Sequence, residues 1–514
     1  MLDNIGIIDM GSNSVRLILV KVNHDMSFRL MEEHKESIRL GDGFTENMTL
    51  KPHKIEAALK TMRMFKRLCD AQNVTKILAV ATAAVRKAQN GIELIDRIKT
   101  ETGIDMKVIS GEEEAHLDFI AVSSSLSIKD ALILDIGGGS FELIWMENRL
   151  KKESVSIPIG SIDFAEQFNV KDALSEDEEQ KILSFISNHL KSIPWLENAK
   201  NLPLIGVGGT LRNIGKIDML RRKYPLDIIH GYEVPLNGFN FIYEEIKSLE
   251  ISDKRSFPGL SSDRADIFIG SLALVKSIID FTKSTSLIIS GKGVREGLFY
   301  SFLKDKNIII DNPLLLSLEN TGKNMGLDMV HMFQVRKLTK RLFDDLKEIH
   351  KIHEDIDKII DAATILHDSG IIINYYNHHR NSFFVILNSQ VNGLTHRELV
   401  MSAYIASFHR KNKSYENFET YKLLIDERDI EIIKAVSVLL RIAESLDKSM
   451  SSVVSDLYCE IEKDKVLIKI SAKEYPELEI NDAIPARAIV ITTIFLRPDN
   501  ITTNARGIFI LYKI

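Results

Sequence analysis

Short apolar runs alternate with longer amphipathic segments from the start of the chain to about residue 305. Apolar runs bounded by turn residues predict strands, whereas apolar positions spaced three or four apart predict helices. Predicted strands lie near residues 4–9, 15–22, 27–33, 76–81, 131–135, 141–147, 153–159, 203–207 and 286–289. Predicted helices lie near residues 53–72, 90–102, 175–192, 240–249, 264–282 and 293–303. This mixture is typical of an α/β fold.

The pattern changes around Asn312 and Pro313, and the apolar spacing from about residue 314 to 450 is helical. A separate all-α domain is therefore expected there. Strand-like alternation returns in residues 457–470 and 489–496. We predict an α/β lobe over 1–125, a second α/β lobe over 126–305, an all-α domain over 306–450, and a small α/β or β region over 451–514.

Composition narrows the class of protein. The 514 residues are 45% hydrophobic and 27% charged, as in ordinary globular proteins. No uninterrupted apolar stretch approaches the ~18 residues of a membrane span, and the N-terminus has no secretory pattern, so we expect a cytoplasmic protein without a membrane partner. Cys69 and Cys459 are too far apart in sequence to suggest a disulfide framework or a cysteine zinc site.

The net charge of −6 argues against broad binding of DNA or other nucleic acid. A polyanionic substrate would need local basic clusters, and any one of these clusters could equally be a solvated helix face. The candidates are Arg221-Arg222-Lys223, Arg336-Lys337 with Lys340-Arg341, His378-His379-Arg380, and His409-Arg410-Lys411 with Lys413.

Two runs repeat one arrangement, in which an aspartate ends an apolar strand and a turn of small residues follows. The aspartates are Asp9 and Asp135. The turns are Gly11, Ser12, Asn13 and Ser14, here the first glycine loop, and Gly137, Gly138, Gly139 and Ser140, here the second glycine loop. Glycine turns can point several backbone N–H groups at one anion, and a carboxylate can hold Mg²⁺. The repetition predicts a duplicated phosphate clamp.

Further short runs follow other predicted strands. The first is residues 81–86, which end in Arg86, and the second is residues 109–115, which contain Glu114. The third is Gly208, Gly209 and Thr210, here the third glycine loop, and the fourth is residues 290–297. The carboxyl ends of strands in an open α/β sheet form its ligand crevice, so these runs should converge on the clamps. Together they supply the groups that phosphoryl transfer requires.

Two glutamates are candidates for the chemistry. Glu114, at the start of a helix, could orient and deprotonate a water molecule, or the run Glu112-Glu113-Glu114 could simply supply favourable charge to the first helical turn. Glu142 could face the same crevice and hold a metal or water, or it could be an exposed strand glutamate. Sequence alone leaves both choices open.

These motifs resemble those of the exopolyphosphatase/guanosine pentaphosphate phosphatase (Ppx/GppA) family, in the family's order, over about residues 1 to 305. The motifs are Asp9-Met-Gly-Ser-Asn-Ser-Val-Arg16, Thr82 to Arg86, Ser110-Gly-Glu-Glu-Glu-Ala115, Asp135-Ile-Gly-Gly-Gly-Ser-Phe-Glu142 and Ser290 to Gly297. The resemblance implies two ribonuclease-H-like lobes of the actin-like ATPase superfamily. It also implies that Glu114 is catalytic with Glu142 as its partner, that Asp9, Asp135 and Glu142 bind Mg²⁺ or Mn²⁺, and that Arg86 binds phosphate.

The helical region resembles an HD phosphohydrolase domain, because it contains His331, the pair His367-Asp368, and Asp447 in order. The resemblance implies a possible second divalent metal in this domain. Three options stay open: an active second site, a metal that only stabilises the structure, or a vestigial site. Arg380 and Arg410 could contact the phosphates of a long chain.

We therefore expect an Mg²⁺-dependent exopolyphosphatase that acts on inorganic polyphosphate. A guanosine pentaphosphate phosphohydrolase and a non-catalytic nucleotide or polyphosphate sensor are the alternatives, and a sugar kinase or chaperone-type ATPase is the alternative within the fold. The resemblance also implies a homodimer.

Overall fold

The computed structural model describes residues 3–42, 44, 48–306, 308, 312–410, 417–462, 465–483 and 507–513, with side chains at all of these except 3, 465 and 507–513. The chain forms two compact units, Met1–Asp311 and Asn312–Ile514. Lys411, Lys413 and the predicted strand at 489–496 lie outside the described residues.

The first unit begins with a five-stranded mixed sheet. Its strands are β1 (Asp3–Met10), β2 (Val15–Val22), β3 (Phe28–Glu36), β4 (Val74–Ala81) and β5 (Met106–Val108). The strand order is β3-β2-β1-β4-β5. Strands β1, β2 and β3 pair antiparallel, whereas β1 pairs parallel with β4 and β4 with β5. The three parallel strands therefore end at one edge of the sheet.

A second sheet repeats this topology. Its strands are β6 (Ala131–Ile136), β7 (Phe141–Glu147), β8 (Leu150–Ile157), β9 (Leu204–Val207), β10 (Tyr232–Val234) and β11 (Leu287–Ile289). The order β8-β7-β6-β9-β11 matches that of the first sheet strand for strand, and β10 adds an antiparallel edge. The predicted α/β class and its internal duplication are confirmed, and Asp9 and Asp135 occupy equivalent positions near the ends of β1 and β6.

Eleven α-helices accompany these sheets among the described residues of the first unit. They are α1 (Pro52–Ala71), α2 (Ala83–Lys87), α3 (Gly91–Thr102), α4 (Gly111–Ser123), α5 (Ser161–Phe168), α6 (Glu176–Lys191), α7 (Gly208–Arg222), α8 (Leu236–Lys247), α9 (Ile251–Ser256), α10 (Phe268–Thr282) and α11 (Val294–Asp305). The start of α4 is fixed by a capping box, in which Ser110 accepts from the backbone of Glu113 and Glu113 accepts from the backbone of Ser110.

Helix α11 follows the second sheet in sequence but packs on the first. Its buried side chains Phe299, Tyr300, Phe302 and Leu303 join one hydrophobic cluster with apolar residues of β1 and β2. A side chain of this size contributes about 1.5–3 kcal/mol when it is fully buried. The face of the first sheet is thus completed by residues that lie far away in sequence.

The second unit is mainly helical. Its helices are α12 (Pro313–Asn324), α13 (Met329–Asp345), α14 (Lys347–His350), α15 (Asp357–Ile365), α16 (His378–Asn388), α17 (His396–Ser407) and α18 (Glu427–Ser445). Strands β12 (Val454–Ile461), β13 (Lys465–Ala472) and β14 (Gly507–Lys513) form a three-stranded sheet. The HD-like assignment of this unit stays a prediction. Across the described part of the chain, no helix has the length and apolarity that crossing a bilayer demands.

Candidate active site

The first and second glycine loops have the same internal hydrogen bond. The N–H of Gly11 donates to the carbonyl of Ser14 at 3.1 Å, and the N–H of Gly137 donates to that of Ser140 at 2.9 Å. The loops also pack against each other, since a Cβ atom on Gly138 would lie 2.8 Å from the Cβ of Ser12. The two halves of the predicted clamp therefore meet at the edge of both sheets.

The third glycine loop begins α7 and presses against the second lobe's aspartate. Gly208 has a φ of +94°, and a Cβ atom there would lie 2.5 Å from Oδ1 of Asp135. A Cβ on the next residue, Gly209, would lie 2.3 Å from the guanidinium carbon of Arg264. Glycine is needed at both positions because a carboxylate and a guanidinium occupy the space of a side chain.

Four carboxylates line the cleft between the loops: Glu114 and Asp135, which are buried, and Asp9 and Glu296, which are partly buried. Burial raises the pKa of Asp9 to about 6, and the neighbouring Asp135 adds to the rise. Burial also raises the pKa of Glu114 to about 7, against the opposing effect of Arg86. The pKa of Asp135 is raised by burial. A carboxyl pKa raised towards neutrality suits Glu114 to act as a general base.

Arg86 and Glu142 lie behind this wall of the cleft rather than on it. The Nη1 atom of Arg86 donates to Oε2 of Glu114 at 3.1 Å and to the carbonyl of Ile109 at 2.8 Å. Glu142 is fully buried, and its Oε1 accepts from the hydroxyl of Ser156 at 2.7 Å. Burial and the charges of Glu114 and Asp135 raise the pKa of Glu142 well above its ordinary value. Both residues contact the catalytic region without being among those that line the cleft.

One more carboxylate near the cleft, Asp118, was missed by the sequence reasoning. It is fully buried on α4, and neither of its oxygens has a hydrogen-bond donor in the described part of the protein. Its pKa is raised well above the ordinary value by burial and by the adjacent charges of Asp135, Glu114 and Glu142. Asp118 follows Glu114 by four residues, so the spacing of two acidic side chains on one helix face was the available signal.

Four arginines line the cleft: Arg16, Arg212, Arg264 and Arg295. Arg16 and Arg295 both reach Oε1 of Glu33, at 3.7 and 2.7 Å. Burial and the positive charges of Arg212 and Arg295 lower the pKa of Arg16 to about 10. Burial and the charge of Arg16 lower the pKa of Arg264 to about 10. Crowded like charges of this kind are relieved by a polyanion.

The cleft is a cavity of about 120 Å³, and none of its described lining residues is aromatic. Oδ1 of Asp135 is buried and has no hydrogen-bond partner among the described residues. Such an oxygen, with Asp9 of the other lobe lining the same cleft, is the kind of donor that a hard divalent cation takes. The arrangement can therefore hold a phosphate chain end, a cation and a water molecule beside Glu114.

In the second unit, the predicted residues His331, His367 and Asp368 converge, with one ligand atom of each within 4.8 Å of the others. Asp447 contacts His331 instead, through Oδ2 and Nδ1 at 2.8 Å. All four are buried or nearly so. These four are the residues that the sequence analysis assigned to the HD-like site.

A second group shares Asp368, and its other members are His378 and His409, again with ligand atoms within 4.8 Å. The sequence reasoning placed these histidines among possible phosphate contacts, but both are completely buried. Arg410 lies at the edge of this group, 3.8 Å from Glu444. Arg380 lines a separate pocket on α16.

Comparison with known proteins agrees with this architecture. The model of the Ppx/GppA phosphatase family matches residues 17–306, and that of Ppx/GppA phosphatase domain III matches residues 315–481. A guanosine-5'-triphosphate,3'-diphosphate pyrophosphatase of Pseudoalteromonas atlantica is 26% identical over 80% of both chains. A bifunctional 3-dehydroquinate synthase/phosphatase of Fusobacterium nucleatum is 31% identical over 55% of this chain and 44% of its own.

Solved structures of Ppx/GppA proteins also resemble this chain. An exopolyphosphatase from Cytophaga hutchinsonii is 26% identical, with a TM-score of 0.56 over 60% of this chain and 100% of its own. The Aquifex aeolicus Ppx/GppA protein is also 26% identical, with a TM-score of 0.52 over the same shares. The chain therefore belongs to the Ppx/GppA phosphatase family, whose members hydrolyse phosphoanhydrides.

Proposed function

We propose that the protein is an exopolyphosphatase, which hydrolyses the terminal phosphoanhydride of inorganic polyphosphate with Glu114 as the base. One observation carries the proposal. Glu114 is a 5% exposed carboxylate with a pKa near 7, on the wall of a cleft built from three glycine loops and four arginines. The cleft therefore combines a base suited to neutral pH with an anion site.

The residues divide the work of hydrolysis among them. Backbone N–H groups of the glycine loops hold the terminal phosphate, and the cleft arginines neutralise the charge that grows on its oxygens. Glu114 accepts a proton from water as the water oxygen bonds to the terminal phosphorus. The bond from this phosphorus to the bridging oxygen breaks, and the shortened chain leaves with the electron pair. Orthophosphate remains bound by the glycine loops.

Asp9 and Asp135 would hold a divalent cation such as Mg²⁺ or Mn²⁺ in this site. Their oxygen donors suit a hard cation, and the partnerless Oδ1 of Asp135 supports the assignment. When bound, the cation supplies charge neutralisation to the phosphate oxygens. Glu142 is more deeply buried and accepts from Ser156, so we assign it to the support of Glu114 and of the cation site.

Polyphosphate is favoured over guanosine pentaphosphate by the lining of the cleft. A guanine base is commonly held by stacking on an aromatic ring, and the described residues of the cleft provide none. A uniform chain of phosphates needs only the donors and arginines that are present. A sensor without turnover would not need a base whose pKa is tuned to about 7.

The test measures phosphate release from polyphosphate and from guanosine pentaphosphate with Mg²⁺, for the wild type and for Glu114→Gln. We expect release from polyphosphate and a loss of about 10²–10⁴-fold in Glu114→Gln, the usual contribution of a general base. The control is Glu113→Gln, since Gln also serves in a capping box. Preference for guanosine pentaphosphate would select the alternative enzyme, and binding without release would select the sensor.

A second candidate function concerns the second unit, for which we propose a divalent-metal centre at His331, His367, Asp368, His378 and His409. Three of the rings are oriented by their own backbone. The Nδ1 atoms of His367, His378 and His409 lie 2.8, 2.9 and 2.6 Å from the carbonyls of Thr364, Tyr375 and Ala406. Donation from each Nδ1–H leaves the Nε2 lone pair free for a metal.

The spacing of two of these lone pairs supports the proposal. The Nε2 atoms of His378 and His409 face each other at 3.1 Å. With both Nδ1 atoms donating to carbonyls, the two Nε2 lone pairs repel unless a cation or a proton lies between them. Neutral imidazole with a neighbouring carboxylate, here Asp368, suits a transition-metal ion.

Metal content tests this centre. We expect the purified protein to retain divalent metal after gel filtration and His409→Gln to lose part of it. His350→Gln is the matched control, because both nitrogens of buried His350 are already engaged, with the carbonyl of Phe343 and the N–H of Ile352. Equal metal content in all three proteins would contradict the centre. Phosphate release that persists in Glu114→Gln and needs His409 would assign it a hydrolytic role.

A further inference from the structure

The two partners of one ion pair in the first unit line two different cavities. Glu114 faces the catalytic cleft, whereas Arg86 lines a separate open recess of about 420 Å³. The contact between Arg86 Nη1 and Glu114 Oε2, at 3.1 Å, joins the two cavities. The recess thus begins directly behind the proposed base.

Glu142 is linked to the same recess from a second direction. Ser156, the hydroxyl that donates to Glu142, is also a lining residue of the recess. The other oxygen of Glu142, Oε2, is buried without a hydrogen-bond partner in the described part of the chain. Both buried glutamates are therefore backed by a polar side chain that opens onto the recess.

Polar contacts lie between the two cavities. A Cβ atom on Gly111 would lie 2.2 Å from the hydroxyl of Ser156, so the backbone of α4 touches β8 directly. The ion pair of Arg86 with Glu114 and the hydroxyl contact of Ser156 with Glu142 therefore form part of the barrier that a small anion would cross. Such contacts rearrange more easily than a packed hydrophobic core.

A separate passage would let orthophosphate leave before the shortened chain does. Hydrolysis leaves orthophosphate in the cleft together with the shortened chain, which would have to move away before orthophosphate could leave by the route along which the chain entered. We propose that orthophosphate leaves through this recess, where Arg86 binds it on the way to solvent. This inference rests on the proposed exopolyphosphatase function.

The chemistry itself would loosen this barrier. Once Glu114 has accepted the proton of water, its ion pair with Arg86 becomes a hydrogen bond to a neutral carboxyl, which is weaker. The guanidinium can then exchange Glu114 for orthophosphate. Glu112 is exposed at the rim of the recess, and its negative charge opposes retention of the anion there. The recess is therefore suited to exit rather than storage.

The experiment obstructs the recess without altering a residue of the site. Ser154 lines the recess on β8, so Ser154→Tyr would fill it while an aromatic residue remains compatible with a strand. Glu153→Tyr is the matched control, since Glu153 is the exposed neighbour and does not line the recess. Total phosphate is measured by acid quench, and free phosphate by a fluorescent phosphate-binding protein.

For long-chain polyphosphate, Ser154→Tyr should cleave the first bond at the wild-type rate but release free phosphate about tenfold more slowly, a barrier change of about 1.4 kcal/mol. A burst of bound phosphate would appear before the steady state. With tripolyphosphate the short remainder can leave by the entrance, so release should be normal. Glu153→Tyr should behave as the wild type with both substrates.

Three outcomes would overturn the proposal. Release at the wild-type rate in Ser154→Tyr is the first, and equal slowing of cleavage and release is the second. The third is the absence of Glu114-dependent polyphosphate hydrolysis in the wild type, which removes the proposed function itself and is recognised without any recess variant. If Ser154→Tyr loses tripolyphosphate activity through misfolding, Pro158→Tyr at the exposed lip of the recess repeats the test under the same criteria.

Discussion

Replacing Arg86 with methionine should move the acid limb of the activity profile to higher pH. Glu114 acts as a base only when ionised, and its pKa of about 7 reflects burial opposed by the charge of Arg86. Methionine keeps much of the apolar stem but removes that charge. The carboxylate is then stabilised less, so its pKa rises and a smaller fraction of the enzyme is active at neutral pH.

The separation of the two groups sets the size of the effect. At 3.1 Å, an effective dielectric constant of about 20 gives an attraction of about 5 kcal/mol. Arg86 is 25% exposed, and solvent screening reduces this value. An opposite charge at such a distance lowers a carboxyl pKa by about one to three units, or about 1.4–4 kcal/mol. We therefore expect the midpoint to rise by about one unit or more.

The assay is kcat/KM for polyphosphate from pH 5 to 10 at constant ionic strength and saturating Mg²⁺, since kcat/KM reports the free enzyme. The terminal phosphate of the substrate titrates equally for both proteins, so a difference between their midpoints belongs to the enzyme. The midpoint of the Arg86→Lys profile should lie between those of the wild type and Arg86→Met. An unchanged midpoint with a lower plateau would refute control of Glu114 by Arg86 and leave only a role in phosphate binding.

Three further predictions concern stability and binding. Glu142→Gln should abolish activity but raise the free energy of unfolding at pH 8, because a carboxyl whose pKa is raised in the folded state destabilises that state as pH rises. The gain should vanish near pH 4 in urea titrations. Gly208→Ala should lose activity as well as ~1–3 kcal/mol of stability, whereas Gly103→Ala, also at positive φ but with open space around it, should lose only stability. Arg212→Met should raise KM for polyphosphate about tenfold with a weaker salt dependence, and Arg222→Met, at the far end of α7, should not.

The parts of the site that sequence could predict are those encoded by local pattern. A strand that ends in aspartate and continues into a glycine turn is visible at Asp9 and again at Asp135, and the duplication of the sheets follows from that repetition. The glutamate at the first turn of a helix, Glu114, is visible in the same way. In each case the chemistry depends on residues that are adjacent in the chain.

The positions of other site residues depend on contacts with distant parts of the chain, so the local sequence predicts them less well. Arg264 reaches the cleft from a short 3-10 turn, where nothing in the local sequence distinguishes it from a surface arginine. Arg86, predicted to bind phosphate, contacts Glu114 and lines a different cavity from the cleft. The basic run around His378 suggested a surface, yet that ring faces Asp368 in the interior at 2.9 Å. Direction and burial are properties of the packed fold, not of spacing.

The return of α11 to the first sheet has a consequence for synthesis on the ribosome. Strands β1 and β2 leave the exit tunnel early, but Ile5, Ile7, Ile18 and Val20 on their outer face find Phe299 and its neighbours only after residue 303 has been made. Domains commonly fold as they emerge, N-terminal first. Here the first lobe would have to wait, partly uncovered, for the second. A nascent chain halted near residue 125 would expose an apolar sheet face, and we expect chaperones to bind it. During uninterrupted synthesis, this binding would last until α11 has been made.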